Sequence, residues 1–172
     1  TALDVFLAMQ PPIADPTDPP QGSPLFNYIV SRLFSSFDIP DGVLKFLDWM
    51  RRPDHDTGFG FLGNWIVTQR GGAWHTIEEE LPKIKADIDS GRPSPLGLVT
   101  VESLNPADLG NNHQVLAYAY EQDNAGNVTI HVYDPNAPDA DGVQLSLNIN
   151  NPTHTTPITH NVNIPHPVVR GF

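Results

Sequence analysis

The chain contains no cysteine. That excludes disulfides and thiolate metal sites, and it leaves these 172 residues without a thiol nucleophile. Cationic side chains are scarce: 9 Lys and Arg stand against 20 Asp and Glu, a net charge of −11. Such a balance excludes the basic footprint that nucleic acid or an anionic membrane surface demands. No apolar run approaches the roughly 20 residues of a membrane helix, and no charged–apolar–small leader pattern is found. Membrane insertion is therefore not expected. Nothing in the residues assigns a compartment or an oligomeric state.

Proline and glycine, by contrast, are abundant, at 18 and 13 residues, beside a hydrophobic fraction of 39%. These numbers predict a loop-rich globule of one domain, or two small lobes of one. Thr1 to Met9 reads as the body of a helix without a cap, so the chain is expected to start at a cut. Pro11 to Pro24 holds six prolines and reads as an irregular loop. Ser23-Pro24 then opens a helix as a cap and first-turn proline do. Its apolar stripe is Leu25, Phe26, Ile29, Val30, Leu33, Phe34 and Phe37. Pro40-Asp41-Gly42 breaks it, and a second helix follows with Val43, Leu44, Leu47 and Met50 facing inward and Arg51-Arg52 in its last turn.

Residues 53 to 73 are rich in glycine and aromatics and receive no assignment. Thr76 to Glu80 starts another helix, with Trp74, Ile77, Leu81, Ile84 and Ile88 at three- and four-residue steps. Pro82 is expected to kink or restart it, and Gly91-Arg92-Pro93 to end it. Glu79 and Lys83 have the spacing of a helical ion pair. From residue 95 the period changes to two. Pro95–Val101, His113–Tyr120, Asn127–Tyr133 and Val143–Ile149 read as strands, with one more over Thr159–Val169. The order predicts an α+β fold: a helical lobe over 1–92 and a β lobe over 93–172, an antiparallel sheet or half-barrel.

The β lobe carries the residues of most chemical interest. Folding a hairpin about Asp123-Asn124-Ala125-Gly126 with His113 opposite Asp134 also opposes Val115 to Val132, Ala117 to Ile130 and Ala119 to Val128. One face is then wholly apolar except at its open end, and burial of that face penalises a one-residue slip. An imidazole and a carboxylate so placed can hydrogen-bond, which makes two-thirds of a nucleophile–His–Asp triad. No serine sits in a Gly-x-Ser-x-Gly elbow. Thr1 is discounted as an N-terminal nucleophile because a helix follows where such enzymes place a strand. His131 points to the opposite face from Asp134.

Other chemistries fit less well. His154, His160 and His166 recur at six-residue steps, with His131 upstream, but zinc ligands are more closely spaced and Pro157 and Pro165 interrupt the run. No metal site is expected. Gly58, Gly60 and Gly63 are followed by no Lys-Ser, so no phosphate loop is expected, and no organic cofactor is implied.

Ile84–Val99 with its Gly91-Arg92-Pro93, Asn112-His113-Gln114-Val115, and Tyr133-Asp134-Pro135-Asn136 together resemble the second half of a papain-like cysteine peptidase. The resemblance is to the bacterial group related to bacteriocin-processing, double-glycine peptidases, and covers roughly residues 74 to 149. It implies a two-lobed papain-like fold, thiol-dependent hydrolysis or acyl transfer on a peptide or protein substrate, His113 as general base and Asp134 as its orienting partner. The family's nucleophile is a Cys at the start of the first helix of the helical lobe, preceded by an oxyanion-hole Gln. Neither is present here, so the resemblance places the Cys just upstream of Thr1 and makes the chain as given inert. The competing expectation is a non-catalytic scaffold that binds a peptide or small ligand in a cleft lined by the aromatic segment Phe59 to Trp74.

Overall fold

In the computed structural model, residues 19–36, 41–137, 140–162 and 168–172 are described. The helix expected over Thr1–Met9, most of the proline-rich loop, Phe37 and His166 lie outside them. The described residues fall into two compact units, one up to Phe46 and one from Leu47 to Phe172.

In the first unit, α1 (Pro24–Ser36) starts where the Ser-Pro pair predicts. The Ser23 hydroxyl accepts the backbone N–H of Phe26 at 3.2 Å, the contact expected of an N-cap. Leu25, Phe26 and Ile29 are half-buried. Helix α2 (Asp41–Arg51) runs from the first unit into the second. Met50 is buried as expected, joined by Trp49, whereas Leu44, also expected to face inward, is 57% exposed.

The second unit is a mixed helix and sheet. Its unassigned stretch is a two-stranded hairpin, β1 (Thr57–Phe61) and β2 (Asn64–Gln69). The connection uses Leu62 and Gly63, both at positive φ, which is the turn geometry that suits strand twist. Of the glycines that alternate with phenylalanine here, Gly58 has a steric reason and Gly60 faces open space. A Cβ on Gly58 would lie 2.0 Å from the Ile66 carbonyl oxygen.

The next helix is in three pieces: α3 (Gly72–Trp74), a π-helical turn (His75–Glu80) and α4 (Leu81–Asp89). Pro82 accounts for the middle piece. A proline ring clashes with the carbonyl four residues back, and the wider π turn, with Leu81 N–H on the Thr76 carbonyl, relieves that clash before α4 begins. The rotation also changes the ion pairs. Glu79 is taken by His75 Nδ1 at 2.7 Å, and Lys83 pairs with Glu80 at 3.1 Å rather than with Glu79. Gly91, at φ 79°, ends the helix as expected.

The sheet is antiparallel throughout. Its six strands lie in sequence order: β3 (Ser94–Leu98), β4 (His113–Gln122), β5 (Asn127–Tyr133), β6 (Gln144–Asn148), β7 (Ile158–His160) and β8 (Val168–Val169). The single strand expected over Thr159–Val169 is thus two short ones, paired antiparallel with each other. The sheet curls until its far edge meets its first strand. Val99 N–H donates to Gly171 O at 2.8 Å, and Arg170 N–H to Val99 O at 2.7 Å. The inner face gathers Leu96, Leu98, Val115, Val128, Ile130, Val132, Leu145 and Ile158, and Ile77, Leu81 and Ile84 of the helix pack on it. Arg170 ties this closure to α2: its guanidinium donates to the carbonyls of Arg52, Val101 and Met50 and to Asp54. A cation on the last carbonyls of a helix is where its dipole favours one.

Candidate active site

The β4–β5 hairpin differs in register from the sequence expectation. Val132 opposes Ala117, not Val115, and Ile130 opposes Tyr120, not Ala117. Two features account for this. The turn is a three-residue loop closed by Gly126 at φ 79°, which moves the pairing. A bulge between Ala117 and Ala119 then adds Tyr118 to one side and inverts the alternation beyond it. Strict Ala-Tyr-Ala-Tyr alternation gives no local cue to such a bulge.

His113 and Asp134 nevertheless meet. The shift near the open end is by two residues, so both side chains stay on the inner face. Continuing the observed register places Asp134 opposite Val115, and His113 reaches it along the diagonal. His113 Nε2 lies 2.7 Å from Asp134 Oδ1. Oδ1 also accepts the backbone N–H of Asn136 at 2.8 Å, an Asx turn that holds the carboxylate where the strand ends. The Asp134 side chain is 0% exposed and that of His113 is 18% exposed. With Nε2 donating to the carboxylate, a neutral His113 keeps its lone pair on Nδ1. Nδ1 has no hydrogen-bond partner among the described residues.

The mouth of β4 is fixed from behind. Asn112 accepts the Thr100 N–H at 3.1 Å, donates to Leu109 O at 3.3 Å and touches the sulfur of Met50 at 3.2 Å. Met50 is fully buried at the end of α2, so the residue before the histidine anchors the strand to the helix. Leu98, also fully buried, opposes His113 from β3.

The remaining histidines are dispersed. His75 pairs with Glu79, whose carboxyl is held below the ordinary range chiefly by that hydrogen bond. Its Nε2 is occupied by Arg52, so it offers no open nitrogen. His131 faces outward beside Glu121. His154 lies on the groove described below, against Thr153. His160, read from sequence only as part of a histidine-spaced tail, comes instead to the site. Its wholly buried ring places Nε2 3.4 Å from Asp134 Oδ2. The only signal for it was its parity within β7, because Ile130, Leu145 and His160 lie in one row across the inner face. Among the described residues no three His, Asp or Glu side chains gather as a metal would require. No described helix is long and apolar enough to cross a membrane.

A concavity of about 560 Å³ lies beside the β1–β2 hairpin, away from His113 and Asp134, lined by His55, Gly58, Trp65, Val67 and His154 among others. No protein-family model, curated protein or solved structure matches this chain.

Proposed function

We propose that this chain is the base-bearing portion of a papain-like cysteine peptidase or acyl transferase, with His113 as general base and Asp134 as its orienting partner. One observation carries the reading. A fully buried carboxylate holds Nε2 of a partly exposed imidazole at 2.7 Å, and Nδ1 has no hydrogen-bond partner among the described residues. The coarse architecture agrees, with a curled antiparallel sheet packed by helices.

In this mechanism Asp134 fixes the tautomer and Nδ1 takes the proton of an approaching thiol. The thiolate attacks the amide carbonyl carbon, the imidazolium gives its proton to the departing amine, and water reverses the sequence on the acyl-enzyme. The sulfur must come from outside these 172 residues, which hold no cysteine. Without it, turnover falls by on the order of a million-fold.

The test is iodoacetamide alkylation of the full-length protein. The reading expects one cysteine alkylated at least about tenfold faster than free thiol near pH 6, with that advantage lost in His113→Ala. Absence of any cysteine from the full-length protein, or a rate indifferent to His113, contradicts it. The second reading is a non-catalytic binding scaffold, favoured by the groove at Trp65 and Gly58. A full-length protein without a reactive thiol would decide for that reading.

A further inference from the structure

His160 has no part in the mechanism above, yet its surroundings constrain it tightly. The ring is wholly buried; its Nε2 faces Asp134 Oδ2 at 3.4 Å, and neither atom makes a hydrogen bond to any described group. On the other side of the ring, the Val162 N–H lies 3.3 Å from Nδ1 and the Val162 carbonyl 3.4 Å from it. These contacts leave two protonation patterns. A neutral ring accepts from Val162 N–H at Nδ1 and carries its one proton on Nε2. A charged ring donates from Nδ1 to the carbonyl and again carries a proton on Nε2. The remaining pattern, neutral with Nδ1–H, would aim the Nε2 lone pair at a carboxylate oxygen inside the core, an arrangement burial penalises.

Asp134 needs such a donor. Its Oδ1 already serves both His113 and Asn136, while the buried Oδ2 has no hydrogen-bond partner among the described residues. Rotation of an aspartate about χ2 is soft. Without a donor on Oδ2 the carboxylate can turn and loosen its hold on the His113 ring.

We propose that His160 is a positioning residue for the site: its Nε2–H holds Asp134 Oδ2, so that Oδ1 stays on His113. The role rests on the His113–Asp134 reading above. It makes the site a buried His–Asp–His bridge drawn from β4, the end of β5, and β7.

Long-range proton–nitrogen spectra of histidine-labelled chain test it. Wild type should show His160 protonated on Nε2. In His160→Leu the His113 Nε2–H should exchange with water about tenfold faster and the His113 tautomers should mix. In His160→Gln, whose amide can donate to Oδ2, both should stay near wild type. A merely structural His160 would lower stability in both variants without moving the His113 tautomer. An Nδ1–H tautomer for His160 in wild type overturns the proposal even if the leucine variant does not fold. So does unchanged His113 exchange in a folded leucine variant. Absence of the His113 Nε2–H from the wild-type spectrum is a separate signal: it removes the dyad reading, and this inference with it.

Discussion

Four of the described histidines, His75, His113, His131 and His160, sit beside three carboxylates, and burial separates those carboxylates. The Glu79 side chain beside His75 is 44% exposed, Glu121 beside His131 is 79% exposed, and Asp134 beside His113 is 0% exposed. An exposed ion pair contributes little because water competes for both partners. Removing a buried carboxylate instead leaves its donors facing a low-dielectric void. Asp134→Ala should therefore lower unfolding free energy at pH 7 by about 3 kcal/mol. Glu79→Ala should cost under about 1 kcal/mol. Urea unfolding curves for the two variants check the difference, and equal losses would show that the Asp134 cluster is not a tight hydrogen-bonded unit. The sequence revealed the inner-face parity of His113 and Asp134, because apolar alternation marks the buried face. It did not reveal His160 as their neighbour, because that contact crosses β6 and depends on how far the sheet curls. It also gave no cue to the role of Asn112, whose partner Met50 is 62 residues away.

At the scale of elements, helix starts and stops were legible where they rest on local chemistry. Ser23 caps α1, and Gly91 ends α4 at positive φ. What was not legible is geometry set by crowding: the π turn before Pro82, the Gly58 contact with the Ile66 carbonyl, and the Tyr118 bulge. The β4–β5 turn also offers a pH test. Asp123 accepts from Asn127 through side chain and backbone and from the Ala125 N–H, and these bonds hold its carboxyl below the ordinary value. The group is depressed in the fold, so its contribution is complete above its unfolded value near 3.8 and disappears as pH falls through the lower folded value. The stability gap between wild type and Asp123→Ala should accordingly be constant from pH 5 to 7 and narrow below about pH 4. A gap that widened on acidification would contradict the hydrogen-bonding assigned to this turn.

For the whole molecule, the six strands close on themselves through Val99 and Gly171, and Arg170 ties that seam to the last carbonyls of α2. The α+β character follows from the change of period near residue 93, where helical spacing gives way to alternation. The closure could not be read from the sequence, since it joins two edges by one bridge and β8 has only two residues. Closure matters to the proposed chemistry because it holds β4, β5 and β7 around one carboxylate. The central claim is that Asp134 fixes His113 with its proton on Nε2 and its lone pair on Nδ1. The most direct measurement is the nitrogen spectrum of His113 in the wild-type chain, read in the neutral form of the ring. The account predicts a protonated Nε2 and a bare Nδ1, with that preference lost in Asp134→Ala. A His113 protonated on Nδ1, or one whose tautomer ignores Asp134, would contradict it.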